Sequence, residues 1–244
     1  MKKNRINTRK ILSASFLVML LFAVGVFAQQ EGGGLQEKLA AVKQAAAANQ
    51  QALHHYQWTE TTQISLKGEV KNSKQDLCQY GPNGQVQKTP LGGSQPPQQE
   101  EGRRGRMKEK IVEHKKDEMT EYMQNAKSLI GQYVPPDPNR MQQAFQSGNV
   151  SIVPSPASGI TELNFKNYVL PGDSMTLSFN TSTKKMTNLN VNTYMNDPKD
   201  AITLGVQFDS LPDGTSYPSQ TVLNATAKQI QVMTTNSNYQ KLGQ

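Results

Sequence analysis

Histidine, the side chain that most often acts as a general base in enzymes, is rare in this sequence. The histidines are His54, His55 and His114, and a nucleophilic serine would need one of them beside it as a general base. The sequence contains no Gly-x-Ser-x-Gly segment, which in many hydrolases presents the serine on a sharp turn. We therefore predict no catalytic residue and interpret the chain as a non-enzymatic protein.

Two groups of side chains could be taken for metal ligands. His54 and His55 are adjacent, so their imidazoles point in different directions, and no third ligand follows at a spacing typical of zinc sites. Asp209 and Asp213 stand close to Gly214, but their spacing is not that of a calcium-binding loop. Carboxylates in such positions commonly bond to the backbone of a turn. The sequence predicts neither a metal site nor a cofactor.

The single cysteine, Cys78, has no partner for a disulfide within the chain. Stability must then come from a packed core rather than from covalent links. We interpret Cys78 as a small apolar side chain in a strand. The alternative is a thiol that reacts or pairs between chains in an oxidising compartment.

The first 28 residues have the organisation of an export signal. Basic residues come first, the run from Ile11 to Phe27 is almost entirely apolar, and Val26-Phe27-Ala28 suits a signal peptidase. This pattern predicts a secretory signal peptide at residues 1–28 and a periplasmic or secreted mature protein. An uncleaved anchor is the alternative, because the apolar run reaches the short end of the membrane-spanning range. After cleavage we expect no integral membrane segment.

Removal of this signal changes the charge of the protein. The sequence carries 26 Lys and Arg against 19 Asp and Glu, but five of the basic residues and none of the acidic ones precede residue 29, which leaves a net charge of +2. A strongly basic chain would indicate nucleic acid or an anionic surface as partner. The near-neutral remainder predicts no nucleic-acid partner.

The remaining chain is long enough for one large domain. We interpret residues 29–34 as a flexible lead and residues 35–244 as a single domain. Within it, residues 92–106 are rich in Gly, Pro, Gln and Glu, end in Arg103-Arg104-Gly105-Arg106, and show no apolar periodicity. This composition predicts an exposed, mobile loop.

Three segments have helical patterns. Leu35 to Leu53 is rich in Ala, Gln, Lys and Leu, with its apolar residues roughly on one stripe. Met107 to Tyr133 shows the clearest three-and-four spacing of apolar residues, and Pro135-Pro136 follows it as a stop signal. A short helix is expected to begin around Pro138 and to end before Gly148.

Strand patterns occupy the rest of the chain. Trp58, Ile64 and Leu66 alternate with polar residues, and Lys74 to Tyr80 supplies the second strand of a hairpin, with a third short strand near Val86. The alternation of apolar residues with Ser, Thr, Asn and Gln predicts a sheet that is wet on one face.

After Asn149 the strands follow one another closely. Turn sequences separate them at Pro171-Gly172, Asp197-Pro198 and Asp213-Gly214. The connections are too short for crossover helices, so these strands should be sequential neighbours in an antiparallel meander. Early and central helices combined with such a sheet predict the α+β class.

The order of these elements is similar to that of a known family. An early helix is followed by Tyr56-Gln57-Trp58 and Leu66-Lys67-Gly68-Glu69. A central helix then separates these two segments from the later alternating strands. In this respect the stretch from Leu35 to Tyr239 resembles the bacterial outer-membrane lipoprotein-carrier (LolA-like) superfamily. The resemblance implies a curved, half-barrel-like antiparallel meander packed on the N-terminal helix and the long central helix. It also implies a cavity for acyl chains between sheet and helices.

These observations lead to a first hypothesis, in which the mature protein is a periplasmic, non-enzymatic protein that binds an apolar ligand. A lipid or a lipidated partner such as a lipoprotein would bury its apolar surface between sheet and helices. Methionines, which are common on the predicted elements, suit adaptable apolar cavities. The residues predicted to line the ligand cavity are Trp58, Ile64, Met119, Tyr122, Phe165, Leu177, Phe179, Leu204 and Phe208.

The same residues would equally form a filled core, which defines the alternative. In that case the protein is a structural or interaction protein of the cell envelope without a small-molecule ligand. It would meet another envelope protein through its polar sheet face or the loop around Arg103 to Arg106. A void of ligand size would favour carriage, whereas ordinary packing density would favour the interaction protein.

Overall fold

The computed structural model describes residues 47–92, 105–155, 159–183 and 185–243. The predicted signal peptide, the flexible lead at residues 29–34, the first part of the helix predicted from Leu35, and most of the loop predicted at residues 92–106 lie outside these ranges.

Most of the described chain forms one antiparallel sheet of ten strands. The strands are β1 Tyr56–Leu66, β2 Glu69–Tyr80, β3 Val86–Pro90, β4 Val150–Ser155, β5 Ile160–Lys166, β6 Ser174–Asn180, β7 Met186–Tyr194, β8 Ala201–Ser210, β9 Ser216–Ala225 and β10 Ile230–Lys241. Their spatial order is β3-β2-β1-β10-β9-β8-β7-β6-β5-β4, so β3 and β4 are the open edges. The predicted antiparallel meander after Asn149 is confirmed.

The two ends of the chain meet in the middle of the sheet. β1 pairs with β10 from Tyr56 opposite Lys241 to Leu66 opposite Ile230, with one irregularity between Gln57 and Thr59. This pairing joins the early β1–β3 strands to the later meander. It is a long-range contact that alternation along the sequence does not reveal.

Three helices accompany the sheet in the described residues: α1 at residues 47–53, α2 Gly105–Ile130 and α3 Pro138–Gln146. α2 ends three residues before the predicted Tyr133. α3 begins as predicted, because Pro138 suits the first helical position and the Asp137 side chain accepts a hydrogen bond from the Asn139 backbone at 2.8 Å.

The main hydrophobic core lies on one face of the sheet, which we call the inner face. It combines buried side chains of β5–β10 with Ala126 and Ile130 from the end of α2 and with Met141 and Ala144 of α3. Strand residues of alternate positions fall on the same face, since successive side chains of a strand point to opposite sides. The clean alternation of Ile202, Leu204 and Val206 in β8 therefore places all three in this core.

Candidate functional site

The structure brings all but one of the predicted cavity residues into or against the main core. Phe165, Leu177, Phe179 and Leu204 are buried within it, and Ile64, Met119, Tyr122 and Phe208 are partly buried against it. Trp58 is the exception, because it is buried in a separate aromatic cluster on β1. The prediction grouped the strand residues among them by their apolar face and did not distinguish positions along a strand.

The strand register aligns apolar side chains in a line across the sheet. Each residue of this line lies opposite the next one on the neighbouring strand. We call the line the apolar row, and its members are Val150, Phe165, Met175, Val191, Leu204, Leu223, Val232 and Ile64. It runs from the edge strand β4 to β1. Its members from Phe165 to Leu204 and Val232 are buried in the main core, whereas Val150, Leu223 and Ile64 are only partly buried against it.

Polar and charged side chains adjoin the apolar row on the inner face of β1, β2, β3 and β10. We call them the polar layer: Glu60, Thr62, Lys74, Asp76, Lys88, Thr234 and Asn236. Thr62 lies opposite both Thr234 and Lys74, and Glu60 lies opposite both Asn236 and Asp76. Glu60, Thr62 and Asp76 are each at most 5% exposed. The sequence analysis did not identify the charged members, although Trp58, Glu60 and Thr62 occupy alternate positions and therefore lie on the same face of β1.

The charges of the polar layer are paired with each other. Lys88 Nζ lies 2.5 Å from Glu60 Oε1, and both side chains are less than 10% exposed. Lys74 Nζ lies 2.8 Å from Asp76 Oδ2, and the Thr62 hydroxyl donates to Glu60 Oε1 at 3.2 Å. Buried charges need partners of this kind, because desolvation of an unpaired ion costs several kcal/mol. These two ion pairs have no net charge.

Aromatic side chains lie beyond the polar layer, toward the end of the sheet where β1 begins. Trp58 stacks on Tyr239 with ring centroids 5.5 Å apart and an interplanar angle of 12°. Tyr80 lies 5.6 Å from Trp58 and 4.3 Å from the His54 ring, and Tyr217 lies 4.3 Å from Tyr239. We call this group, which also includes Tyr56, the aromatic cluster. Such pairs add about 1 kcal/mol each beyond their buried area.

Two polar atoms of the aromatic cluster are buried without a hydrogen-bond partner in the described structure: His54 Nε2 and the Tyr239 hydroxyl. Burial is the main cause that raises the pKa of Tyr239 above its ordinary value. In contrast, the Trp58 indole donates to Asn236 Oδ1 at 3.1 Å, and Asn236 donates in turn to the Pro218 carbonyl at 3.0 Å. The cluster is thus linked to the polar layer through Asn236.

The raised pKa values of several tyrosines predict that the protein is less stable at alkaline pH. Burial is the largest cause that raises the pKa of Tyr56, Tyr80 and Tyr168 to about 12, whereas tyrosine in an unfolded chain has a pKa of about 10. The folded state keeps protons that the unfolded state loses, so the free energy of unfolding should fall as the pH rises from about 10 toward 12.

Urea unfolding at a series of alkaline pH values, with tyrosinate absorbance recorded in parallel, measures this effect. We expect the Tyr80→Phe variant to show a smaller decrease of the unfolding free energy over the same range. Tyrosinate formation near pH 10 in a fold that keeps its full stability would contradict the prediction.

Cys78 is fully buried on β2, in agreement with its interpretation as a strand core residue. Burial first, and the neighbouring Glu60 carboxylate second, raise the pKa of its thiol to about 12. Thiolate is the reactive form, so Cys78 is a poor nucleophile at neutral pH.

The other candidates for chemistry have structural surroundings. His55 is exposed, and the side chain of His114 lies outside the described part of the chain. Asp213 accepts hydrogen bonds from the Tyr56 hydroxyl at 2.6 Å and from the Thr215 backbone at 3.0 Å, and the bond from Tyr56 is the main cause that lowers the pKa of its carboxyl group. Among described residues, no three His, Cys, Asp or Glu side chains are grouped to hold a metal ion.

No protein-family model matches the chain, and no curated protein matches it significantly. Within the described ranges, no helix is both long enough and apolar enough to cross a membrane. Function is therefore inferred from the geometry of the inner face.

Proposed function

We propose that the protein is an exported, non-enzymatic carrier that holds an apolar ligand, such as a lipid or a lipidated partner, against the inner face of the sheet. The observation that carries this proposal is the set of partly buried apolar side chains that border the core. On α2 these include Met119 and Met123, and on the sheet they include Ile64, Leu66 and Leu223. They are apolar side chains that solvent still reaches.

The proposal includes a curved, half-barrel-like sheet packed on α1 and α2, as the LolA-like resemblance implies. Two contacts between helices and sheet ends support it. Asn49 of α1 exchanges hydrogen bonds of 3.0 and 2.8 Å with the Ser216 backbone at the start of β9. Tyr122 of α2 donates to Asp200 at 2.6 Å, and Lys228 lies 5.5 Å from the centroid of the same ring. The kinship itself remains a prediction.

Burial of apolar surface would supply the affinity. A ligand chain that covers about 200 Å² of apolar surface would gain about 5 kcal/mol at roughly 25 cal/mol per Å². The flexible side chains of Met119 and Met123 could adjust to such a chain. No chemical step is required.

Native mass spectrometry of the mature protein purified from its own periplasm tests the proposal, followed by organic extraction and lipid analysis. We expect a co-purifying lipid, and we expect Met123→Asp to reduce the bound fraction at least about tenfold, since a charge on the apolar surface opposes burial. Gln124→Asp, which changes the next and exposed residue, is the matched control and should retain the lipid. Circular dichroism verifies that both variants are folded.

A clean mass without ligand, combined with no uptake of added lysophospholipid or fluorescent fatty acid, would contradict the proposal. It would favour the second candidate, an interaction protein of the cell envelope with a filled core. One observation supports that candidate: the open edge strand β4 carries Ile152 and Val153, which are 45% and 46% exposed. Exposed apolar edge strands are common sites of protein association.

A further inference from the structure

The edge strand β4 has a neighbour on one side only, since β5 is its sole partner in the described sheet. The N–H of Lys166 donates to the carbonyl of Asn149 at 2.9 Å, and this pair continues the register of β4 with β5. In an antiparallel pair such hydrogen-bonded positions alternate with positions whose backbone groups point away from the partner strand. Val150, Ile152 and Pro154 therefore direct their backbone groups out of the sheet.

The side chains of β4 are apolar or small, and none of them is charged. Ile152 and Val153 are 45% and 46% exposed. Ile152 lies opposite Leu163 of the main core and thus belongs to the inner face. Val153 belongs to the opposite face, because successive side chains of a strand point to opposite sides. The edge exposes apolar surface on both faces of the sheet.

Edge strands commonly avoid pairing with another chain through a charge, an inward-pointing charged side chain or a proline. The opposite edge, β3, has two of these devices. Lys88 points inward into its ion pair. Pro90 lies at an outward-directed position, since the N–H of the next residue, Leu91, donates to the Gln75 carbonyl at 2.8 Å. On β4 the one such device is Pro154, which lacks the N–H that another residue would direct outward.

We propose that β4 is the docking edge for a second copy of this chain, which pairs antiparallel to it about a two-fold axis at Ile152, and that Pro154 limits the strength of this pairing. In this arrangement Ile152 lies opposite Ile152 of the second copy, and the two residues exchange their outward-directed hydrogen bonds. The N–H of Val150 donates to the carbonyl of Pro154 of the second copy. The Val150 carbonyl receives no bond in return, because Pro154 has no N–H.

Charge and symmetry favour a second copy as the occupant. β4 meets no like charge when it pairs with itself. Glu162 and Lys166 lie on β5, and the two β5 strands would be about 14 Å apart, three strand spacings. This distance exceeds the screening length of about 8 Å at physiological ionic strength. The two-fold contact covers each apolar side chain with the same patch, because Ile152 meets Ile152 and Val153 lies diagonal to Val153.

The contact is small, because one short strand and its side chains form it. Contacts that bury less than about 1,000 Å² are typical of weak association. We therefore expect a dimer with a dissociation constant of about 0.1 mM. The inference does not depend on the proposed carrier function, because β4 pairs through its outward-directed edge.

Sedimentation equilibrium of the mature protein, from well below to well above this concentration, tests the inference. We expect Pro154→Val to tighten the dimer about tenfold or more, since each copy then donates a further hydrogen bond to the Val150 carbonyl of the other. Ile152→Pro should weaken the dimer by a similar factor. It removes an N–H that β5 does not use, and an edge strand accepts proline at such a position.

Pro90→Val is the matched control, because it also restores an outward-directed N–H, but on β3. It should leave the dissociation constant unchanged. Circular dichroism verifies that all variants are folded.

A Pro154→Val variant that associates no more tightly than the parent protein would overturn the inference. If both remain monomeric throughout the range, a different protein is the occupant of this edge. Equal association of Ile152→Pro and the parent protein, or equal tightening by Pro90→Val, would also overturn it, because the contact would then lie elsewhere. Species larger than a dimer would contradict the two-fold arrangement, which occupies β4 in both copies.

Discussion

Asp173→Ala is expected to lower the free energy of unfolding by about 4 kcal/mol or more. The buried Asp173 carboxylate accepts hydrogen bonds from the backbone N–H groups of Tyr168, Val169 and Leu170 at 2.5, 2.9 and 2.6 Å, and from the Tyr133 hydroxyl at 2.5 Å. Each buried donor left without a partner costs about 1–3 kcal/mol. The loss would be a large part of the 5–15 kcal/mol that typically stabilises a domain.

The expected effect is large because Asp173 joins distant parts of the chain. It closes the connection between β5 and β6, and through Tyr133 it binds the segment that follows α2. The Tyr133 hydroxyl also lies 2.7 Å from the Thr193 hydroxyl of β7. Tyr168 extends the network to the start of α3, because its hydroxyl accepts from the Asp137 backbone at 2.7 Å.

Urea unfolding followed by fluorescence of Trp58, the single tryptophan, measures the loss. Asp197→Ala is the control: Asp197 also accepts a backbone hydrogen bond in a turn, from Lys199 at 2.8 Å, but it is exposed. We expect the control to cost about 1 kcal/mol or less, since water replaces the lost bond. Equal losses in the two variants would contradict the importance of the buried carboxylate.

The network of Asp173 illustrates what the sequence could predict. Pro171-Gly172 correctly marks the connection between β5 and β6, and Gly172 has the positive φ of 82° that the turn requires. The carboxylate at the next position gave no signal of its own, because an aspartate beside a turn is usually solvated. Its burial depends on Tyr133, 40 residues away.

Only the apolar part of the candidate site was predicted from the sequence, for a similar reason. Strand periodicity is local, so it correctly placed Phe165, Leu177 and Leu204 on one face. The pairing of β1 with β10 is not local, and it decides which side chains lie beside Glu60. From a pattern of apolar and polar residues alone, a charged residue is expected to be exposed to solvent. The strand register shows instead that Glu60 lies on the inner face, and Lys88, which extends across β2, forms an ion pair with it there.

Lys88→Met is the second change expected to have a large effect, with a loss of about 3–5 kcal/mol in the free energy of unfolding. It removes the ammonium that lies 2.5 Å from Glu60 and leaves a buried carboxylate without its cation. The methionine keeps much of the length of the side chain, so the change tests charge more than volume. Urea unfolding again measures the loss, with circular dichroism as the check of the fold.

A second replacement should reverse much of that loss. In the double variant Glu60→Gln with Lys88→Met the uncompensated charge is gone, and buried ion pairs can often be replaced by neutral groups at little cost. The double-mutant cycle should therefore give a coupling energy of about 2 kcal/mol or more. The exposed pair of Lys71 and Glu69 is the matched control, and its expected coupling is much smaller because solvent screens the two charges.

The same double variant shows whether the buried charges are needed for folding. If it is nearly as stable as the parent protein, they are not needed. If it stays as unstable as Lys88→Met alone, the charges hold β3 to β1. A coupling energy no larger than that of the exposed control pair would contradict the burial of this ion pair.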